Sequence, residues 1–486
     1  MIGWLVQQQG GGTKAIEQLA AAVKADLTTA DTVATAFRRL FAARIKLGML
    51  DPPDSVPYNN VSFDVCASSP HIALARNAAQ KAMALHQNRG DVLPLSPKDL
   101  AGDGSLVLIG PTSDNANNLL GNYAAASTAG PGMAVSILSG LQNWAASDSS
   151  NNGVSSGKIG KISHAKGCAD VTCGSTAGFA EAVALAKNAK ATVLVLGTRV
   201  SGNNKQDPAG PCSSVVACEG EAHDRNSTVF GGHQYELAAE LAKSRTGVPL
   251  ICVFVHGAAM TLGNLRDSCD AILDAGFPGT QGGNGLADVV FGAVSPAGRA
   301  ATTWYLNDDD LPKFGEMDLY EGKGLTYRHY DSSKAPIAFG SGLSYTTFSY
   351  SNLKINQTSI THCETVGVTV EVRNAGSVDS DEVVQLYLTT PHASVPAPKV
   401  RLADFARVHI KAGAVATVEL SVAPKAHSVV VDDVLGSDQK FWEPTITVEG
   451  GSFSLYVGGG QPNSGVETLE GAVSVSKGGL LSECDV

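Results

Sequence analysis

The sequence predicts an α/β protein with a mostly parallel α/β sandwich, an antiparallel β-sandwich after it and a short helical segment in front. Three observations lead to this prediction. Apolar runs alternate with helical patterns from about residue 70 to 310, period-two runs take over after about residue 350, and helical periodicity alone marks the first fifty residues. Strands separated by helices favour parallel pairing, because they need crossover connections, whereas period-two runs joined by short turns favour antiparallel pairing.

Size and charge limit the possible functions. The chain has 486 residues, 43% of them hydrophobic, and a net charge of −11. A chain of this length can bury more than one core, so we expect two full domains. The negative charge argues against nucleic acid and anionic membranes as partners. No apolar run reaches the roughly 18 to 20 residues that a membrane helix needs.

The first segment, residues 1–50, is predicted to contain two amphipathic helices. A short apolar stripe begins at Ile16, and a longer one runs from a capping-box pattern at Thr28 and Asp31 to a stop at Gly48. Two such helices bury little apolar surface against each other. We therefore expect this segment to pack on something else.

The α/β sandwich is predicted to span residues 71–310, after a linker at 51–70. Strands are expected at 105–110, 161–167, 191–197, 249–256 and 270–276, with helices near 71–87, 133–146, 177–189, 234–245 and 281–292. In such sheets, ligands and catalytic residues lie beyond the carboxyl ends of the strands. The loop after strand 191–197 is therefore the expected place of a functional site.

The antiparallel β-sandwich is predicted to span residues 351–473. A second linker, 311–350, precedes it and is rich in Asp, Pro, Gly and aromatic residues, a composition typical of a domain boundary. Period-two runs begin at Val366, Glu382, Ala416 and Ser452. Residues 474–486 are predicted to form a loose tail.

The most informative loop runs from Cys218 to Arg225 and contains two glutamates near an arginine. Glu219 and Glu221 lie two residues apart. On composition alone this is typical of a solvated acidic loop. Its position after a buried strand favours a site for acid/base chemistry instead.

Several motifs follow one another in a fixed order along the chain. They are Ile109–Asp114, Gly121–Tyr123, Glu219–Arg225, Ala275–Gly283, Pro296–Arg299 and Phe339–Phe348. With them the chain resembles glycoside hydrolase family 3, in particular its β-xylosidase/α-arabinofuranosidase and β-glucosidase members. The resemblance extends from about residue 16 to about residue 460. It implies that residues 1–50 are a remnant of a (β/α)8-type barrel and that the β-sandwich is a fibronectin type III-like domain.

The resemblance also implies a reaction and roles for the acidic loop. A retaining glycosidase uses two carboxyl groups roughly 5 to 5.5 Å apart, one as nucleophile and one as acid/base. Glu221, four residues before Arg225, falls on the family's acid/base position, with Glu219 as the alternative. Asp224 and Arg225 would support the loop or the substrate. Arg225 either orients a carboxylate or forms a structural pair with Asp224 or another acid.

The family's nucleophile has no counterpart in this sequence. In the family it is an aspartate on a barrel strand, upstream of the part that the chain resembles. We therefore expect that this chain carries the acid/base but does not hydrolyse glycosides alone. The expected substrate is an oligosaccharide or an aryl glycoside. We expect no cofactor, and a barrel-containing chain is a possible partner. The alternatives are a non-catalytic carbohydrate-binding or scaffolding protein and a subunit that lends Glu221 to another chain's barrel.

Nine cysteines indicate an oxidising compartment. Two close pairs in loop-like sequence, Cys168/Cys173 and Cys212/Cys218, suit disulfides. The odd number leaves at least one cysteine unpaired. Cys252 lies in an apolar run and is expected to be a small buried hydrophobe.

Other short motifs agree with secretion and argue against a metal. Sequons at Asn60, Asn226 and Asn356 and the family resemblance imply an extracellular glycoprotein. The first residues lack the basic leader and apolar stretch of a signal peptide, so we expect none in this chain. There is no Cys-x-x-Cys and no His-Glu-x-x-His pattern, and we expect no catalytic zinc.

Overall fold

The computed structural model describes residues 16–121, 134–147, 159–200, 216–220, 224–313, 315–432 and 445–484. The chain divides into two compact units, Met1–His71 and Ile72–Val486. Within the described ranges, no helix combines the length and the apolar character that crossing a membrane requires.

The first unit contains two helices, α1 (Leu19–Lys24) and α2 (Ala30–Lys46). The capping box predicted at Thr28 is off by one residue, because the Oγ1 atom of Thr29 accepts the hydrogen bond from the Thr32 amide, at 3.1 Å. Helix α2 ends just before Gly48, whose φ of +72° suits glycine.

Large apolar side chains of the first unit are exposed to solvent. Phe37 is 52% exposed, Ile45 57% and Leu50 68%. Among the residues that the structure describes in this unit, only Ala36 and Val56 are buried hydrophobic residues. An apolar surface of this kind is typical of a segment that lacks a packing partner.

The second unit begins with a six-stranded sheet in the order β1-β8-β7-β4-β2-β3. Its strands, with the separate parallel pair β5 and β6, are β1 (Ala84–Asn88), β2 (Leu106–Ile109), β3 (Ser163–Ala165), β4 (Ala191–Gly197), β5 (Arg199–Val200), β6 (Cys218–Glu219), β7 (Leu250–Val255) and β8 (Ala271–Asp274). The neighbours from β8 to β3 pair in parallel, and β1 pairs antiparallel with β8. The prediction of a mostly parallel sheet is confirmed.

The helix predicted near 71–87 is shorter than expected. Helix α3 spans Ser69–Ala82, and the residues that follow form the edge strand β1. Leu85 of this strand is fully buried. The helix-forming residue types of the segment are overridden by pairing with β8, since tertiary contacts outweigh intrinsic propensity.

Helices cover both faces of the sheet. They include α4 (Ile137–Ala146), α5 (Phe179–Lys187), α6 (Gln234–Ser244), α7 (Leu265–Ser268) and α8 (Gly282–Val290). Alternate residues of β4 belong to different cores: Val193 and Val195 pack with α4 and α8, whereas Leu194 and Leu196 pack with α5 and α6. Burial on both faces explains why the strands read as continuous apolar runs.

Helices α4 and α8 approach closely because glycine lies at their contact. A Cβ atom on Gly283 would lie 2.0 Å from the carbonyl oxygen of Ser136. A larger residue at this position would force the two helices apart.

The segment 311–350, predicted as a linker, is folded against the sheet domain. It contains the short helix α9 (Thr326–His329). Ile337 forms a bridge with Trp304, and the Tyr345 hydroxyl donates a hydrogen bond to the carbonyl oxygen of Val289, at 2.8 Å. The chain is therefore anchored before the next domain begins.

The C-terminal domain is a β-sandwich, as predicted. Its strands are β9 (Phe348–Ile355), β10 (Ser359–Thr361), β11 (Val366–Asn374), β12 (Ser380–Thr389), β13 (Arg401–Ile410), β14 (Val415–Val422), β15 (Val429–Asp432), β16 (Thr445–Val448), β17 (Gly451–Gly458), β18 (Thr468–Lys477) and β19 (Gly479–Leu480). The sheets β10-β18-β17-β12-β13 and β14-β11-β9 pair antiparallel except for β10 with β18. Their inner residues, such as Val370, Leu386 and Leu455, form one core.

The prediction of a loose tail at 474–486 is wrong for the residues that the structure describes. The alternating pattern continues through Val475, which is buried where β18 pairs with β17. Strand β19 then pairs with β16, and Cys484 forms a disulfide with Cys363. Strand pairing and a covalent bond both hold this segment.

A buried ion pair joins the two domains. The Arg299 Nη2 atom donates a hydrogen bond to Glu382 Oε2 at 2.6 Å, and the Tyr350 hydroxyl donates one to Glu382 Oε1 at 2.6 Å. The side chain of Glu382 is 3% exposed. Burial raises the pKa of Glu382, and Arg299 only partly offsets this effect.

The disulfides correct one expectation about the cysteines. The described pairs are Cys168–Cys173, Cys252–Cys269 and Cys363–Cys484. Only the first of these was predicted. Cys252 is buried, but it is not a free thiol, because α7 places Cys269 next to β7 just before β8 begins. The free cysteine in the described part of the chain is Cys66, which is exposed.

Candidate active site

The candidate site lies where the carboxyl ends of β4, β7 and β8 meet at one edge of the sheet. From β4 the chain continues through Thr198 into β5, which pairs in parallel with β6. The turn Gly257–Met260 comes soon after the end of β7. The described residues of the acidic loop, 218–220 and 224–225, thus lie at the edge of the sheet where the sequence predicts the loop.

Glu219 is a buried carboxylate with several hydrogen bonds. Its Oε1 atom accepts hydrogen bonds from the Gly257 amide, at 2.6 Å, and from the Thr198 hydroxyl. Its Oε2 atom accepts one from the Ala258 amide, at 3.1 Å, and lies 3.5 Å from the Nε atom of Arg225. A solvated acidic loop is therefore the wrong interpretation for Glu219.

Arg225 approaches the same turn from the other end of the loop. Its Nη2 atom donates to the Ala259 carbonyl oxygen at 3.2 Å, and its Nη1 atom lies 2.9 Å from the sulfur of Met260. Burial lowers the pKa of Arg225 more than Glu219 raises it. Asp224 is exposed. The carboxylate beside Arg225 is therefore Glu219. This contact agrees with the second of the two roles considered for Arg225, a structural pair with an acid other than Asp224.

A second carboxylate, Asp308, was not predicted. It accepts hydrogen bonds from the Ser227 hydroxyl at 2.5 Å and from the Thr228 amide at 2.8 Å. Burial raises the pKa of Asp308, but these hydrogen bonds and the charge of Arg225 outweigh it, so the pKa lies below its ordinary value. The only signal in the sequence was a short run of aspartates without periodicity.

These residues line an open cleft of about 730 Å³. Its walls include Glu219, Gly220, Arg225, Tyr305, Asp308 and Leu311. Such a mixture of aromatic, apolar and acidic groups suits a sugar, because the ring faces pack on apolar surface and the hydroxyls donate to carboxylates. The cleft therefore places apolar and aromatic surface beside the carboxylates of Glu219 and Asp308.

Some predicted residues lie outside the described part of the chain. These are Glu221 and Cys212. Gly220, the residue directly before Glu221, lines the cleft. Cys218 is disulfide-bonded.

Gln234, nine residues after Arg225, is a structural residue. It is fully buried at the start of α6, and its Nε2 atom donates to the carbonyl oxygens of Val171, at 2.8 Å, and Gly197, at 3.0 Å. Its Oε1 atom accepts from the Gly197 amide at 2.9 Å. Gln234 thus satisfies the backbone at the end of β4.

A buried histidine and a half-buried aspartate support the turn that binds Glu219. His256 donates from Nδ1 to the carbonyl oxygen of Ala258 at 2.7 Å, and its Nε2 atom lies 3.1 Å from Asp274 Oδ1. The Nε2 atom of His86 lies 3.6 Å from the other oxygen of Asp274. Sequence reasoning missed this cluster, although His256 and Asp274 lie at the ends of two predicted strands.

The cluster has shifted pKa values. Burial lowers the pKa of His256, but Asp274 outweighs burial, so the pKa lies above the ordinary 6.5. Burial likewise raises the pKa of Asp274, but His256 and His86 outweigh it, so the pKa lies below the ordinary 3.8. The charged pair is therefore favoured in the folded protein.

We expect the replacement His256→Gln to destabilise the protein most between about pH 4 and 6.5. The raised pKa of His256 stabilises the fold fully below 6.5, and this contribution disappears as the pH rises from 6.5 through the folded pKa. The lowered pKa of Asp274 stabilises the fold above 3.8 and loses its effect below that value. Urea denaturation of parent and variant at about pH 5 and about pH 8.5 measures the difference.

The matched control is His392→Gln, because His392 is exposed. Its effect on the free energy of unfolding should be small at both pH values. An equal loss of stability for His256→Gln at both pH values would contradict the prediction.

The three sequons are all on exposed residues, Asn60, Asn226 and Asn356. Asn226 also lines the cleft. The Asn356 side-chain oxygen accepts a hydrogen bond from the Gly367 amide at 2.9 Å. A glycan on Asn226 would therefore lie beside the candidate site.

The chain thus combines an α/β sandwich that carries acidic residues at its strand ends with a β-sandwich that follows it. Known protein families match both domains. Residues 83–345 match the glycosyl hydrolase family 3 C-terminal domain, and residues 382–461 match the fibronectin type III-like domain. The chain belongs to glycoside hydrolase family 3.

Its relatives are β-xylosidases and β-glucosidases. It is 30% identical to a β-xylosidase of Formosa agariphila, over 89% of this chain and 54% of the relative, and 31% identical to β-D-xylosidase 1 of Arabidopsis thaliana, over 85% and 53%. A β-glucosidase structure from Erythrobacter marinus superimposes with a TM-score of 0.69 at 27% identity, over 94% of this chain and 57% of that one. The chain thus spans about half the length of these relatives.

Proposed function

We propose that this chain is the acid/base-carrying part of a retaining, exo-acting β-xylosidase or β-glucosidase, with Glu221 as the acid/base and a nucleophile supplied by a barrel. The substrates would be plant-type oligosaccharides or aryl glycosides. No cofactor enters this reaction, because two carboxyl groups suffice for it.

One observation carries this proposal: both ends of the acidic loop are bound to the same turn. Glu219 accepts hydrogen bonds from the amides of Gly257 and Ala258 on one side. Arg225 contacts Ala259 and Met260 on the other. A short segment held at both ends beside a cleft is the kind of preorganised support that a catalytic carboxyl group needs.

The surroundings of Glu219 support Glu221 as the acid/base. An acid/base must exchange its proton with the substrate and with water. Both oxygens of Glu219 are already occupied by amide, hydroxyl and guanidinium groups. We therefore assign Glu219, Arg225 and Asp224 to the support of the loop and its substrate.

The nucleophile is proposed to come from the barrel of the family. The relatives are about twice as long as the part that they share with this chain. Under this proposal, residues 1–50 are the last part of that barrel, joined by 51–70 to the α/β sandwich at 71–310. The linker 311–350 and the fibronectin type III-like domain at 351–473 follow. The exposed side chains of Phe37, Ile45 and Leu50 would be covered by the rest of the barrel.

We further propose that the protein acts outside the cell. The disulfides Cys168–Cys173, Cys252–Cys269 and Cys363–Cys484 suit an oxidising compartment. The exposed sequon residues Asn60, Asn226 and Asn356 are accessible to glycosylation.

The experiment compares the purified chain with a fusion in which residue 16 is preceded by the part of the Formosa agariphila β-xylosidase barrel that residues 16–50 do not supply. Both are assayed on aryl β-xyloside, β-glucoside and α-arabinofuranoside. We expect no turnover by the chain alone and turnover by the fusion, with retention of anomeric configuration in the product. Calorimetric titration of the chain alone with xylobiose measures binding without the barrel.

Each outcome has a defined meaning. Turnover by the chain alone would overturn the assignment of the nucleophile to a barrel. A folded fusion that binds xylobiose but does not hydrolyse any of the aryl glycosides would favour the alternative, a non-catalytic carbohydrate-binding protein. Circular dichroism of the fusion establishes that it is folded.

A further inference from the structure

The disulfide Cys363–Cys484 lies in a cluster of groups that bind metals. One donor atom each of His362, Cys363 and Cys484 lie within 4.8 Å of one another. The Oε2 atom of Glu483 lies 3.0 Å from the Nε2 atom of His362. Two sulfurs, an imidazole and a carboxylate are thus brought together from segments about 120 residues apart in sequence.

The polar neighbour of the imidazole is the Glu483 carboxylate, which lies 3.0 Å from Nε2 and is itself one of the grouped ligands. The Nδ1 atom of His362 has no hydrogen-bond partner among the described residues, although the side chain is only 15% exposed. A Cβ atom on Gly479 would lie 2.6 Å from the ring, so the ring packs directly on the backbone of β19. The ring is thus held against β19, and a nitrogen lone pair of His362 is available to a ligand.

We propose that reduction of Cys363–Cys484 by a thiol converts this cluster into a zinc site with His362, Cys363, Cys484 and Glu483 as ligands. Two thiols RSH supply two electrons and two protons. The products are the two cysteine thiols and the disulfide RSSR. Zn²⁺ then binds the two thiolates and displaces two protons into solution.

The geometry suits this exchange. Tetrahedral zinc takes sulfur, nitrogen and carboxylate ligands at about 2.0 to 2.3 Å, which places neighbouring donor atoms roughly 3.3 to 3.8 Å apart. Donors already within 4.8 Å need to move by about an ångström. The sulfurs separate in any case when their bond is broken.

Cys363–Cys484 is also the most accessible of the three described disulfides. Cys168 and Cys252 are at most 1% exposed, whereas Cys484 is half-buried next to Glu483, whose side chain is 56% exposed. Exposed disulfides exchange with thiols more readily than buried ones. The consequence is that the C-terminal segment stays joined to the end of β10 in either redox state, by a covalent bond or by zinc.

The test counts zinc bound to the whole chain, oxidised or reduced with a dithiol under nitrogen and freed of excess metal by gel filtration. We expect the reduced parent to bind one zinc more than the oxidised parent and one more than the reduced double variant Cys363→Ser/Cys484→Ser. The reduced parent, but not the double variant, should also gain thermal stability on adding zinc. Equal zinc content in the reduced parent and the reduced double variant would overturn the proposal.

Single variants assign the remaining ligands. His362→Gln should weaken zinc binding to the reduced chain at least about tenfold, and Glu483→Gln should weaken it less, because water can replace a carboxylate. His392→Gln is the matched control, since His392 is an exposed histidine of the same domain. An affinity unchanged by His362→Gln would exclude the proposed imidazole ligand. None of these measurements depends on glycoside hydrolysis.

Discussion

Replacing Glu221 with glutamine in the barrel-fused enzyme is expected to slow hydrolysis of alkyl glycosides and xylobiose by about 10² to 10⁴-fold, the contribution typical of a general acid/base. Glutamine has the same shape but cannot donate the proton that the leaving oxygen needs. The loss in the glycosylation step should be much smaller for a dinitrophenyl glycoside, because its leaving group needs no proton. Initial rates on the two kinds of substrate give this comparison.

Two controls define the result for Glu221. Glu321→Gln replaces an exposed glutamate of the same unit and should leave the rates unchanged. The free energy of unfolding should be the same for Glu221→Gln and the parent. An unchanged rate on xylobiose would show that Glu221 is not the acid/base.

Replacing Glu219 with alanine is expected to lower the free energy of unfolding by about 3 to 5 kcal/mol, the cost of removing one partner of a buried ion pair. The change leaves the guanidinium of Arg225 without its carboxylate. It also leaves the amides of Gly257 and Ala258 without an acceptor. Urea denaturation followed by tryptophan fluorescence measures the loss.

The comparison with Glu219→Gln separates charge from hydrogen bonding. Glutamine keeps one oxygen as acceptor, so its effect should be smaller than that of alanine but still clear. A loss below about 1 kcal/mol for Glu219→Ala would be the value expected of an exposed pair. Such a loss would refute the description of Glu219 as a buried carboxylate that supports the acidic loop.

The location of the candidate site could be predicted because it depends on local signals. Strand 191–197 is a continuous apolar run, and the carboxyl ends of parallel strands share one edge of the sheet. Knowing that one strand precedes the acidic loop was therefore enough to place the loop. The close spacing of Cys168 and Cys173 similarly needs only a tight turn.

The chemistry of the individual carboxylates could not be predicted in this way. Glu219 can be buried because the amides of Gly257 and Ala258, almost forty residues later, donate hydrogen bonds to its carboxylate. Nothing near Glu219 in the sequence indicates those partners. Asp308 is a similar case, since its partners Ser227 and Thr228 lie some eighty residues earlier.

Tertiary pairing also explains the errors in secondary structure and cysteine pairing. Ala84–Asn88 has the composition of a helix and becomes a strand only because β8 is beside it. Cys252 reads as a hydrophobe in an apolar run, and its partner Cys269 is brought to it by α7. In both cases the deciding contact comes from a distant part of the chain.

The border between the two sandwiches is a poor place to cut the protein. A fragment ending after Tyr345 would retain Arg299 but lose Glu382. The Arg299 side chain, which is 10% exposed in the whole protein, would then have no carboxylate partner. The complementary fragment would retain Glu382 and Tyr350 without their cation. Anyone dividing this protein for separate production should therefore keep Arg299 and Glu382 in the same fragment.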